Sequence, residues 1–272
     1  MSSGPRNRDV TFVLGVRNRG GLRLANALRS IRMQQYTLGR VSALVVDYGS
    51  SPEQLMEITK ICSSQQATLL AVPVKGQWNR SHCLNIGIRA AATPYVFLGD
   101  VDVIYPLDFV EVAMEAIGKS RLLRVHSALW DLPEEARDVC LSDEPDTYRK
   151  QFADLLDKAD SRKVQMQVSM LLVEREVLRK IGGLDEQYAG WGFEDLDLHA
   201  RLWAYGLERA NIADRAVMLH QWHERYEGVK DKDFEQRVEK NRAYFQRARQ
   251  IKRNNGRWGQ TVTKQRDGND RT

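Results

Sequence analysis

The chain has 272 residues, 42% of them hydrophobic, enough to bury one large core or one and a half smaller ones. Its formal net charge is +5, from 41 Lys and Arg against 36 Asp and Glu spread along the whole length, so the excess suits an anionic ligand without selecting one. Cys62, Cys83 and Cys140 are odd in number and lack CxxC spacing, which argues against a disulfide framework and a cysteine metal site.

No run approaches the length of a membrane span, and the polar residues 1–8 carry two arginines without an apolar stretch behind them; a cytoplasmic location is expected. The first apolar, β-branched run is Val10–Val16, and residues 41–47, Thr68–Val72 and 95–98 repeat it, each followed by a turn and a helical stretch. That alternation predicts βαβ units around a buried, mostly parallel sheet, an α/β fold. Ser51, Pro52 and Gln54 read as N-cap, first helical residue and capping-box partner, pinning the preceding turn at the carboxyl edge of the sheet. Cys62 and Cys83 are expected as small apolar residues on helices. Open α/β sheets bind ligands at their carboxyl edge, and there the chain places Arg17 and Arg19, then Asp47, then Asp100 and Asp102. Neither a GxGxxG fingerprint nor a P-loop occurs, which disfavours a dinucleotide dehydrogenase and a Walker-type NTPase.

Residues 126–164 turn acidic and irregular around Pro133 and Pro145, with a helix predicted over 147–158, and read as an insertion over one face. A strand is expected over 168–173 and a helix over 174–181, broken by Gly182 and Gly183. Past Val238 come Lys240, Arg242, Arg247, Arg249, Lys252, Arg253 and Arg257. This stretch is expected to be a solvated basic arm, disordered beyond Gly259, with nucleic acid binding as its alternative use.

Three constellations carry chemistry. Asp100 and Asp102 offer two carboxylates at a strand end; such oxygens suit Mg²⁺ or Mn²⁺, which would bridge the phosphates of a nucleotide, and the competing reading is a solvated turn. Trp191, Glu194, Asp195 and Asp197 crowd the start of a helix running to Tyr205 and closed by Gly206. The helix macrodipole favours carboxylates there and helps keep them ionised, so an aspartate beside an aromatic platform suits a general base for a sugar hydroxyl; plain N-capping beside a core tryptophan competes. His220 and His223 flank Gln221 and Trp222, and both imidazoles could reach one ion if the segment turns there. Arg17 and Arg19 could grip a phosphate or a nucleobase edge.

Taken in order, the strings VRNR (16–19), WNRSHCLNIG (78–87), GDVDVIYP (99–106), GWGFEDLD (190–197) and HQWH (220–223) resemble those of the GT-A glycosyltransferases. The nearest pattern is that of the β-1,4-galactosyltransferase group, with its relatives among bacterial family 2 enzymes and chondroitin polymerases. The resemblance implies a GT-A fold with a Rossmann-like, mostly parallel sheet. It also implies a nucleotide-sugar-binding half at 1–102, an acceptor-binding and catalytic half at 103–226, and a basic helix and tail at 227–272. Arg17, Arg19, Trp78 and Arg80 would hold the nucleotide, with Asp47 near the uracil or ribose. Asp102, His220 and His223 would bind the metal, and Asp100 the metal or the donor sugar. Trp191 would be the sugar platform, and Glu194 would contact the sugars in a catalytic pair with Asp195, the base. The implied activity is metal-dependent, inverting transfer from a UDP-sugar to a glycan or other hydroxyl acceptor, with Mn²⁺ or Mg²⁺ as cofactor. A transferase acting on a hydroxymethylated base in DNA and a non-catalytic sugar-binding protein are the alternatives. The chain departs from the pattern in having Tyr48 after Asp47, and Met166 and Gln167 before Val168.

Overall fold

The structure is a computed structural model that describes residues 7–118, 123–161, 170–224 and 232–261. Strand β1 (Val10–Val16) is buried along nearly its whole length, and its alternation divides the core. Phe12 and Leu14 pack to one face with helix α1 (Leu22–Arg32), whereas Val13 faces the opposite layer, as the period of a strand requires. Strand β2 (Val41–Tyr48), helix α2 (Pro52–Ser64), strand β3 (Thr68–Val72), helix α3 (Arg80–Ala90) and strand β4 (Tyr95–Gly99) complete the expected βαβ units. Cys62 and Cys83 are buried on α2 and α3. At Gly87 of α3 a methyl group would collide with Val13, so glycine lets this helix lie close on the sheet.

The chain continues through β5 (Val103–Ile104), α4 (Phe109–Gly118), β6 (Leu123–His126), β7 (Leu129–Asp131), α5 (Pro145–Leu156) and β8 (Asp160–Ser161). Then come β9 (Leu171–Glu174), α6 (Arg175–Ile181), α7 (Glu194–Ala204), β10 (Glu208–Asn211), β11 (Met218–His220) and α8 (Phe234–Arg247). Seven strands form one sheet in the order β10-β6-β9-β4-β1-β2-β3, so strands from both sides of residue 102 share it. All its pairs are parallel except those of β9, which runs antiparallel to β4 and β6. A second sheet, β5-β11-β7-β8, joins two strands of the insertion to β5 and β11 from outside it. The expected strand start at Val168, with Met166 and Gln167 before it, lies outside the described residues.

Two expectations are corrected. The Ser51 hydroxyl accepts from Gln54 N at 3.3 Å, but Gln54 does not close a capping box. Its Oε1 accepts from Gly20 N (3.0 Å), and Ser51 N donates to Asn18 Oδ1 (2.8 Å). The turns after β1 and β2 are thereby laced together, with Asn18 in the left-handed region at φ 53°.

The basic segment is not a free arm over its described length. Arg253 is buried, its Nε 2.9 Å from Asp185 and its Nη2 3.0 Å from Asp197, which Arg201 also grips at 2.6 Å. Trp258 joins the apolar layer of Leu84, Ile88, Leu178 and Ile181. Burial of a charge is tolerated only when it is paired, and here two acids far away in sequence do the pairing. Lys240, Arg242, Arg247, Arg249, Lys252 and Arg257 remain exposed. No helix among the described residues is long and apolar enough to cross a membrane.

Candidate active site

The register of the small sheet builds a corner of three residues that could hold a metal ion. β5 pairs antiparallel with β11, setting Val103 opposite His220, and β11 pairs parallel with β7, setting His220 opposite Asp131. Asp102, one residue before β5, therefore meets His220. Gln221 N donates to the Asp102 carbonyl at 2.8 Å, and the buried Gln221 side chain donates to Arg23 O (2.9 Å) and accepts from Asn26 Nδ2 (3.0 Å). The chain turns on this anchor and brings His223 back. Asp102 Oδ2 lies 3.8 Å from His220 Nε2, 3.4 Å from His223 Nε2 and 3.8 Å from Arg19 Nη1. One ligand atom from each of Asp102, His220 and His223 falls within 4.8 Å of the others.

The hydrogen bonds on the far side of each ring test whether this set fits a cation. His223 Nδ1 lies 2.8 Å from the Glu224 carbonyl, which can only accept, so Nδ1 carries the proton. His220 Nδ1 stands 3.0 Å from Asp131 Oδ1, which assigns the same tautomer. In the neutral rings both Nε2 lone pairs then face the Asp102 carboxylate. Converging acceptors of this kind fit a shared cation, and two imidazoles with a carboxylate suit a divalent transition metal. With the Nε2 atoms protonated instead, burial opposes the charge on Asp102, but the hydrogen bond from His223 and the charges of His220, His223 and Arg19 outweigh it and hold its carboxyl well below the usual range. The Asp102 hydrogen bond and the Glu224 carbonyl raise the pKa of His223 against its burial.

Next to this corner lies an acidic cluster organised by one guanidinium. Asn79 caps α3, accepting from His82 N at 2.9 Å, and so places Arg80 in the first helical turn. Arg80 Nη2 bonds Asp100 Oδ1 and its Nη1 bonds Asp195 Oδ1, both at 2.9 Å. Glu194, 5% exposed, has an Oε2 without a hydrogen-bond partner. The helix end does not hold these two acids at a low pKa. Burial, then the Asp195 charge, pushes Glu194 up to about 7 against the pull of Arg80. Burial and the Asp100 charge likewise raise Asp195 despite Arg80. The macrodipole is a small effect beside loss of solvent, and three carboxylates share one cation. Asp197 belongs elsewhere, in the buried pairs with Arg201 and Arg253.

At the ends of β1 and β2, Arg17 Nη1 donates to Gly76 O at 2.7 Å, tying the turn after β1 to the loop before Trp78. Trp78 meets Tyr48 edge-on with centroids 5.5 Å apart, and the Tyr48 hydroxyl bonds His82 Nδ1 at 2.8 Å. Asp47 is buried and bonds the Ser50 hydroxyl and, at 3.3 Å, its amide, so its carboxylate shapes the turn. Trp191 is 48% exposed and backs onto Phe234. The structure thus joins Arg19 to the metal corner and Arg80 to the acids, while Arg17, Asp47 and Trp78 stand together at the neighbouring strand ends. Asp131 and Gln221 were not singled out from the sequence. Gln221 had a signal in its place between the two histidines, but Asp131 had none, because only the β7–β11 register brings it to His220.

Residues 12–269 match the model of a family described as glycosyltransferase like family 2. The chain belongs to that family and carries a glycosyltransferase domain of GT-A fold. No sequence among curated proteins matches it. Among solved structures it is similar to TarS 1-349 of S. aureus, with 14% identity and TM-score 0.56 over 78% of this chain and 60% of that one. It is also similar to the mannosyltransferase PcManGT from Pyrobaculum calidifontis, solved with GDP-Man and Mn²⁺, with 17% identity and TM-score 0.56 over 88% and 70% of the two chains. A longer S. aureus TarS structure is covered to 40% of its length, at 14% identity and TM-score 0.58. The chain thus spans 60% or less of the TarS structures it resembles, and at these identities the likeness is one of fold.

Proposed function

We propose that this chain transfers a sugar from a UDP-sugar to an acceptor hydroxyl, with inversion and with a divalent metal ion. The observation that carries the reading is the junction of two sites at one sheet edge. Asp102 with His220 and His223 forms a cation corner, and two residues away Asp100 shares Arg80 with Asp195. A bound Mn²⁺ or Mg²⁺ would neutralise charge on the departing diphosphate. Arg80 and Arg19 add positive charge on the same side, Arg17 and Trp78 frame the nucleotide, and Trp191 offers its face to a sugar. Asp195 takes the acceptor proton as the hydroxyl attacks the anomeric carbon from the side opposite the nucleotide. Its raised pKa makes it a stronger base than an exposed aspartate. One displacement inverts the centre.

The test is a panel of UDP-Gal, UDP-Glc, UDP-GlcNAc and UDP-GalNAc, each with Mn²⁺ or with EDTA, read by thermal unfolding and by UDP release. A ligand that binds only the folded state raises its stability by mass action. Stabilisation and UDP release by one donor in Mn²⁺ alone are expected. Stabilisation without release or transfer would favour a sugar-binding protein instead, and no response to any donor would overturn the reading.

A further inference from the structure

Helix α8 turns one face towards the loop 189–193 that carries Trp191 and leads into Glu194 and Asp195. Phe234, Arg237, Asn241 and Phe245 are spaced by three, four and four residues, along one side of the helix. The Phe234 ring stacks on Trp191 with centroids 5.9 Å apart and 30° between planes. Arg237 Nε lies 3.0 Å from where a Cβ on Gly190 would stand. The Phe245 ring tilts against Phe193 at 5.8 Å. At the centre Asn241, 5% exposed, directs its Nδ2 at three carbonyls: Ala189 (3.1 Å), Trp191 (3.3 Å) and Gly192 (3.1 Å).

The loop needs such a hold. Gly190, Gly192 and Phe193 have φ values of 75°, 100° and 73°, and phenylalanine lacks the freedom of glycine in that region. Such a conformation persists only where its surroundings over-determine it. Three carbonyl oxygens turned to one point repel each other unless a donor stands between them, and the Asn241 amide is that donor. From the other side, Gly190 N donates to Trp78 O at 3.2 Å, so the loop is clamped between the nucleotide side and α8.

We propose that Asn241 is a positioning residue of the transfer reaction. Its amide holds the left-handed loop that presents Trp191 and sets where Glu194 and Asp195 enter α7. The inference rests on the reading of Asp195 as the base.

The experiment compares Asn241→Asp, Asn241→Ala and Asn241→Gln in the full chain. Asp is isosteric but puts a carboxylate among the carbonyls, Ala removes the donor without adding charge, and Gln keeps an amide on a longer stem. Transfer kcat should fall about tenfold or more in Asn241→Ala and further in Asn241→Asp, with partial recovery in Asn241→Gln, because a small misplacement of a reacting group is costly. UDP affinity in Mn²⁺ should stay within about twofold, since the donor's contacts are untouched. Amide hydrogen exchange should speed up at 190–195 while α8 and residues 253–258 keep their protection. Unchanged kcat, or kcat falling in step with UDP affinity and with protection along all of α8, would overturn the proposal and leave Asn241 a packing residue. If the unaltered protein transfers no sugar, the functional reading fails by itself, and exchange at 190–195 still decides whether Asn241 holds the loop.

Discussion

Replacing Asp195 by asparagine separates its catalytic and structural roles. The carboxylate lies 2.9 Å from Arg80 Nη1, and an asparagine oxygen can accept the same bond, so the shape of the site is kept. The charge is what changes. Burial and Asp100 raise the Asp195 pKa above its ordinary value, so at neutral pH the ionised side chain costs the folded state free energy. Removing it relieves Glu194 and Asp100 of a like charge, while Arg80 keeps both as counter-ions. Thermal stability of Asp195→Asn should therefore be equal to the wild type or higher, and UDP affinity in Mn²⁺ should be preserved. Asparagine cannot take a proton, so the transfer rate should fall by about 10² to 10⁴, or roughly 3–5 kcal/mol in the barrier. The assay sets sugar transfer beside UDP titration and thermal unfolding for the same protein. Near-normal transfer would refute the base assignment, and lost UDP affinity would move Asp195 to the donor site.

Other substitutions probe the surroundings. Arg253→Met leaves Asp185 buried without that cation and Asp197 with Arg201 alone, so it should destabilise the fold by about 3–5 kcal/mol, and truncation after Gln250 by at least as much; a loss under about 1 kcal/mol in urea unfolding would show that the pairs are dispensable. Asp131→Asn weakens the hold on His220 Nδ1 and should cut Mn²⁺ affinity by about 10- to 100-fold, read by calorimetric titration; an unchanged Kd would remove Asp131 from the site. Glu194 in the folded chain titrates at about 7 rather than 4.5, so the folded state binds more protons between those values and stability falls as pH rises through that window. Glu194→Gln should flatten that fall, whereas parallel stability–pH curves for the two proteins would contradict the raised pKa.

What the sequence made legible follows from how local each signal is. β1 and β3 have the expected bounds, because a short apolar run between turns marks a strand by itself, buried along β1 and half-exposed at the sheet edge in β3. α5 starts two residues before the expected Thr147, since Glu144 caps it, accepting from Thr147 N at 2.6 Å, and Pro145 opens it. β5, β7, β8 and β11 are two or three residues long and have no period to detect. They exist through partners distant in the chain, and they bring Asp131 to His220. The basic C-terminal stretch misled because composition counts charges without their partners. Arg253 is charged and buried because Asp185 and Asp197 meet it. The helix-end argument misled similarly at Glu194 and Asp195, where desolvation was invisible before the packing was known. The metal corner was readable as three residue types in suggestive places, and the fold supplied the distance.

The most direct test of the account is UDP release from the preferred UDP-sugar in the presence of acceptor, measured in Mn²⁺, in EDTA, and with Asp102→Asn in Mn²⁺. The account predicts transfer in Mn²⁺ alone, restored by adding Mn²⁺ after EDTA, and no transfer by the folded Asp102→Asn protein. Full turnover in EDTA, or by Asp102→Asn, would contradict it.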